Sequence, residues 1–466
     1  MHIRKAIIIC SLLLSTTAGA SKPEQDTLSA GQPVATQHRS LGQRLLQPIK
    51  WIARNWSAYD SAYSVPAFYD WAVQGQNSTS FEWLHMQSPE GMNIKMHSKV
   101  SNKIGPYLGY SFLMYGYTID LSSAGTPSHR KNEFTLSVNS NLLNADFIRR
   151  RTGGDFRIAD LSFSNDEQGT IDMKDFANSY DWGDYIKNSI TGVNINVFTN
   201  YKKYSNPAAF TNGAIQLQSA GSPIAGLGYT RQKVESDVSD IFATYSAELV
   251  VDEKGNPLVP DEVLDELDEL WEQNKTAYYN KVAELLDKGW DFLKGNSNVQ
   301  RIARAFLTNH IPTITTIDDW HLQLGYAYNL VFSRRLLLGV SAIVSPGLKR
   351  IRANNVGSVS YSMADHFSLL IKEHEKREVP ADYFRYDYDK THVNVNFFAR
   401  ASLTYNYNHW RAGLNASFSD YLYHHNNMKI NNGYGNLNLY IGYCFGLKKE
   451  YRRKGRMRQA FERTAL

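Results

Sequence analysis

Cysteine is nearly missing from this chain: its 466 residues hold two, Cys10 and Cys444. If the first leaves with a leader, one thiol remains, which can make neither an internal disulfide nor a cysteine-based zinc site. No apolar run reaches 18 residues, so no membrane-crossing helix is expected. A strong charge of one sign is also lacking. Lys448–Arg458 carries seven basic residues and one glutamate, and Arg4 and Lys5 add two more positive charges. Removing both from the net charge of +5 leaves the body near −3, which excludes a broadly basic nucleic-acid surface. There is no phosphate-cradling glycine loop, no G-x-S-x-G elbow and no H-E-x-x-H, since His374-Glu375 lacks the second histidine. No cofactor is expected.

What is present begins with a basic start, an apolar stretch from Ala6 to Leu14, and Ala18-Gly19-Ala20. This pattern predicts a secretory signal over 1–20. Ile9 precedes Cys10 where a lipoprotein signal needs a small residue. Residues 21–66 read as a periplasmic segment. It is polar to Ser40, then carries a short amphipathic helix within Leu41–Trp56, interrupted by Pro48.

From there on, period-two alternation dominates. Val393, Val395, Phe397, Ala399, Ala401, Leu403 and Tyr405 share one parity, with Phe398 alone out of place on the other. Similar ribbons surround Tyr115, Val193, Leu322, Trp410 and Leu437. Their apolar parity is rich in aromatics and leucine. Their polar parity is Asn, Ser, Thr and Gly, with almost no Lys or Glu. A soluble barrel would show solvent-facing Lys and Glu, so the pattern predicts apolar side chains turned to lipid and small polar ones turned to a lumen. The expected fold is all-β: an antiparallel transmembrane β-barrel of about 12 strands, with 10–14 allowed, over 67–446. Fourteen segments alternate, but those around Asp155–Phe163 and Ala208–Leu217 are poorly patterned and are expected not to span. The expected lumen-lining residues are Asn194, Asn196, Gln323, Asn329, Asn394, Asn396, Arg400, Arg411, Asn415, Asn436 and Asn438. They would fill a small barrel by bonding one another, or line a polar path through a larger one.

Connections alternate in length. Outer loops are expected at Tyr421–Gly433, Val344–Thr391 and Arg231–Asp319, with tight inner turns at Asn406–His409 and Ser333-Arg334. The longest loop carries a helical insertion over 232–318. One helix starts near Pro260-Asp261-Glu262 and runs to Leu293, and a second covers Val299–Leu307. Residues 447–466 form a basic tail expected in the periplasm.

Several runs taken together carry a family resemblance. They include Tyr59-Asp60-Ser61-Ala62-Tyr63, Ile104-Gly105-Pro106-Tyr107-Leu108-Gly109-Tyr110, Phe147 to Phe156 with its Arg149-Arg150-Arg151, Gln218 to Ser222, and Tyr434 to Gly442. The stretch from Trp51 to Lys449 resembles the domain-of-unknown-function family DUF4421. That resemblance implies secreted barrel proteins of Bacteroidetes-type bacteria and transfers no functional residue. The insertion and the tail look like departures from it.

The expected role is a non-enzymatic outer-membrane barrel of a Gram-negative bacterium: structural, binding or a narrow polar pore. Its expected partners are membrane lipid, with lipopolysaccharide or a protein at the outer loops, and no nucleic acid. Two alternatives stand beside it. One is a rim-sited hydrolase built from Ser419, Asp420, His424 and His425, which needs nucleophile and base within hydrogen-bond reach. The other is a soluble periplasmic ligand-binding barrel.

Overall fold

The computed structural model describes residues 51–448 and 451, except 53, 88–91, 121–131, 153–155, 166–168, 173–185, 212, 237–260, 275–313 (bar 277, 281 and 284), 355–386 (bar 372) and 426–427. The chain divides into two units, Met1–Ala58 and Tyr59–Leu466. In the first, residues 51, 52, 54 and 55 are helical, Trp56 lies in a turn, and the rest of the expected helix lies outside the described residues.

The strands of the second unit are β1 (Ser64–Pro66), β2 (Tyr69–Gln87), β3 (Met92–Ser98), β4 (Ser101–Tyr110), β5 (Leu113–Asp120), β6 (Asn132–Asn139), β7 (Leu143–Thr152), β8 (Phe156–Asn165), β9 (Gly169–Asp172), β10 (Ile186–Phe198), β11 (Ala214–Gln216), β12 (Ala220–Ser236), β13 (Ile314–Val331), β14 (Leu336–Asn354), β15 (Asp387–Tyr407), β16 (Trp410–His425) and β17 (Met428–Leu447). Among the described residues the helices that accompany them are α1 (Asn206–Phe210) and α2 (Asp261–Gln273).

Twelve of these strands form one closed antiparallel barrel in the order β2-β4-β5-β6-β7-β10-β12-β13-β14-β15-β16-β17. β17 returns to β2 in register from Lys429↔Gln87 to Leu447↔Tyr69. Closure leaves no open edge in the ring, as lipid demands of a β-structure. The two poorly patterned segments stay out of it. Among the described residues, β8 pairs only with β3 and β9, and β11 only with β1.

The faces have the polarity of a membrane barrel. Leu439, Ile441 and Val393 point outward at 60%, 59% and 71% exposure. Gln76, Ser78, Asn196 and Ser402 are buried. Aromatic rings gather at both ends of the apolar band. Trp71 meets Tyr110 at 4.5 Å and Trp410 meets Tyr443 at 5.1 Å at one end. Phe81 meets Trp83 at 5.7 Å and Tyr229 meets Trp320 at 5.3 Å at the other. Along a strand the two groups lie about 8–12 residues apart. At ~3.4 Å per residue and a ~40° tilt, that is roughly 21–31 Å, matching an apolar band of ~25 Å.

The short-turn end holds the connections 111–112, 140–142, 332–335 and 408–409. Ser111 and Asn408 sit there at φ 55° and 54°; asparagine takes this left-handed turn conformation more readily than most residues. At the opposite end the strands run further than the alternation predicts. β16 and β17 stay paired up to His425↔Met428, so the loop expected at Tyr421–Gly433 is mostly strand. β14 and β15 pair from Leu336↔Tyr405 to Asn354↔Asp387, well past the expected loop boundaries. The insertion is likewise trimmed, because β12 continues to Ser236 and β13 begins at Ile314. Lys281 lies 3.0 Å from Glu266 of α2, although fifteen residues of one straight helix would separate them by about 22 Å. The expected second helix lies outside the described residues.

The physical reason for the longer strands is a change of surroundings. Above Trp320 and Leu348 the side chains keep their directions but exchange polarity. Leu84, Ile94, Ile317 and Ile351 are buried inside. Arg350–Asp389 and Lys95–Asp160 form ion pairs outside, at 2.6 and 2.7 Å. A strand leaving lipid for water must turn its polar side out, and the alternation rule used for the membrane zone ends there.

Candidate functional site

The candidate site is the lumen, which the chain fills in three layers. The lowest comes from 199–219, between β10 and β12. The other connections at this end are short turns, but this segment folds inward. Tyr204, Ser205, Asn206 and Ala209 are almost fully buried. Asn329 of β13 donates to the Ser205 carbonyl at 2.9 Å and to Gln216 Oε1 at 3.1 Å. Asn206 donates to Asn139 Oδ1 at 3.2 Å, and the Thr404 hydroxyl donates to the Ala209 carbonyl at 3.3 Å. The Arg400 guanidinium lies 4.5 Å from the Phe210 ring centre. Glycine at 339 admits this close approach, since a Cβ there would lie 2.4 Å from the Ala209 methyl. Around Tyr204 pack Phe198, Ile224 and Ile343, with Phe398 against them. The side chain that breaks the β15 alternation therefore belongs to the plug. β1 and β11 form a small ladder, and Phe68, Ile215 and Cys444 are buried together beside it.

The middle layer is charged. Glu133 lies 2.8 Å from Arg150 and 3.8 Å from Lys103, and accepts the Tyr434 hydroxyl at 3.3 Å. Arg150 in turn sits 3.3 Å from the Tyr434 ring centre. Glu82 of β2 accepts from Asn188 of β10, across the lumen. Asp319 lies 3.7 Å from Lys349 and accepts from Asn396 at 2.6 Å. Buried charges persist only when paired in this way. Above them comes the apolar layer of Leu84, Ile317, Ile351 and Ile430. A cavity between the two upper layers, bounded by Asp319, Lys349, Tyr421 and Ile430, measures about 10 Å³, room for one water at most.

The residues predicted to face the lumen are found as follows. Asn196, Gln323, Asn329, Asn396 and Arg411 are buried, and Asn194, Asn394, Arg400, Asn415, Asn436 and Asn438 are half-buried. Gln323 donates to Asn194 Oδ1 at 2.6 Å, and Ser78 donates to Asn436 Oδ1 at 2.7 Å. Asn394 instead caps the His424 amide at 2.9 Å near the outer end.

A family model described as "Domain of unknown function (DUF4421)" matches residues 58–251 and 291–445. The chain belongs to the DUF4421 family. The gap in the match, 252–290, falls inside the insertion and contains α2. No curated protein matches this DUF4421 chain in sequence. Among solved structures it is similar to the outer-membrane protease OmpT of Escherichia coli, at 6% identity and TM-score 0.30, covering 82% of this chain and 99% of that one. It is also similar to the translocator domain of the autotransporter NalP of Neisseria meningitidis, at 10% identity and TM-score 0.27, covering 87% and 96%. The toluene transporter TodX of Pseudomonas putida follows at 7% and 0.23, covering 81% and 90%.

In this DUF4421 chain the proposed hydrolytic set does not assemble. Ser419 and Asp420 are neighbours in the extended strand β16 and point to opposite faces. Ser419 and His424 are five strand residues apart, about 17 Å. That distance rules out a nucleophile–base pair. The side chain of His425 lies outside the described residues.

Sequence reasoning missed the charged layer and the plug. Glu82, Lys103, Glu133, Asp319 and Lys349 sit at the ends of the lipid-type alternation, where they look like loop starts. The signal for the plug was Tyr204 to Phe210, with Pro207, between two good ribbons: too long for a tight turn and too apolar for an exposed loop.

Proposed function

We propose that the chain is an outer-membrane barrel with a sealed lumen, acting as a structural or binding platform instead of an open pore. One observation carries this reading: the inward-folded 199–219 segment, hydrogen-bonded to β13 and β15, beneath a paired charge layer and an apolar layer. The outer-membrane location is supported by the closed ring, its apolar outer band and its aromatic girdles. In this reading residues 1–20 are the cleaved signal, 21–66 and 447–466 lie in the periplasm, and lipopolysaccharide or a protein meets the outer ends of the strands. Tyr451 donates to the Pro66 carbonyl at 3.3 Å, consistent with a tail held at the short-turn mouth. The lumen residues named from the sequence act as filling, not as a polar path.

The test is fractionation with heat-modifiable gel migration, followed by planar-bilayer recording. The protein is expected in the outer-membrane fraction with no steady conductance. Recovery in the soluble periplasmic fraction would end the membrane reading, and a stable ohmic pore would end the sealed-lumen reading.

A further inference from the structure

The strand register aligns outward-facing residues into rows around six neighbouring strands, β7, β10, β12, β13, β14 and β15. One row is Phe147, Val193, Tyr229, Trp320, Leu348 and Val393. It is wholly apolar or aromatic and marks the edge of the lipid band. The next row outward is Arg149, Thr191, Arg231, Asp318, Arg350 and Thr391. The one beyond is Arg151, Ser189, Lys233, Thr316, Arg352 and Asp389. Six cations and two carboxylates therefore follow immediately on the last lipid-facing row.

The carboxylates position the guanidiniums without neutralising the belt. Asp318 takes Arg231 at 2.6 Å, Arg352 at 2.8 Å and the Tyr229 hydroxyl at 2.6 Å. Asp389 takes Arg350 at 2.6 Å. Lys233 pairs one step further out with Glu235. Arg149 and Arg151 are exposed and take part in none of the ion pairs among the described residues. The outer ends of β16, β17 and β2 carry a single lysine, Lys429, so the belt does not continue onto those three strands. Guanidinium forks held at fixed spacing directly above aromatic rings are suited to phosphate groups whose acyl chains run down the apolar wall below.

We propose that this belt binds the phosphate-bearing headgroups of an acylated glycolipid in the outer leaflet. The proposal rests on the membrane reading above. The probe is the full-length protein in phosphatidylcholine nanodiscs containing bisphosphorylated lipid A, or the same glycolipid with its phosphates removed, with retained lipid measured by native mass spectrometry. Wild type is expected to retain the phosphorylated form preferentially. R149S/R151S, which removes two cations that form no ion pair among the described residues, is expected to lower that retention roughly tenfold to thirtyfold while heat-modifiable migration is unchanged. R350S is the second variant, expected to weaken retention by a smaller factor.

Equal retention of both glycolipids by wild type, or undiminished retention by R149S/R151S, would overturn the proposal. So would displacement by inorganic phosphate at millimolar concentration, which would mark a site for free phosphate. A protein that fails to enter nanodiscs at all would instead overturn the membrane reading, so the two failures are distinguishable.

Discussion

Asn329→Leu probes the plug most directly. Asn329 is fully buried, and its amide nitrogen is the donor that joins β13 to the inward-folded segment. Leucine keeps the branching and the number of heavy atoms, so the main change is one of hydrogen bonding, with the added bulk of two methyl groups. Gln216 Oε1 would stay satisfied, because it also accepts the Ser205 amide at 2.9 Å. The Ser205 carbonyl would lose the Asn329 donor and keep its place as the first backbone acceptor of α1. The Asn329 oxygen has no partner among the described residues, so its removal costs little. Two hydrogen bonds are lost and neither acceptor is orphaned, which amounts to about 1–3 kcal/mol. If the plug moves as a unit, that raises its displaced population roughly 5- to 150-fold. The assay is planar-bilayer recording, in which brief openings should become frequent against a silent wild type, while the folded gel band persists. A variant as silent as wild type and as stable to urea would refute the assignment of 199–219 as the seal.

Gly339→Val places a side chain where Ala209 already sits, and it should open the lumen in the same recording while leaving the barrel folded. Glu133→Gln strips the carboxylate shared by Arg150 and Lys103 and should cost about 3–5 kcal/mol, read as a lower urea midpoint in vesicles. Leu439→Arg sets a cation on the lipid wall and should cost about 2–4 kcal/mol in the same titration, whereas Arg350→Leu, beyond the band, should leave insertion unchanged.

The sequence alone determined the ring. Alternation from Val393 to Tyr405 or Asn436 to Phe445 can only be a two-faced strand, and the amide-and-hydroxyl composition of its polar parity says which face meets lipid. The same rule discounted Asp155–Phe163 and Ala208–Leu217 as spanning strands, which took fourteen candidate segments to twelve. What the tertiary structure decided lies where that rule ends. Lys349 and Ile351 stand two residues apart on one inward face, yet one belongs to a charged layer and the other to an apolar one, because the strand crosses from lipid to water between them. Whether Phe398 was an exception or a contact depended on Tyr204 arriving from a segment almost two hundred residues away. The belt of arginines appeared only once the hydrogen-bond register placed Arg149, Arg231 and Arg350 at one height. Local pattern reports the medium around each strand; register and packing report which strands share a level, and the lumen and the belt are both made of shared levels.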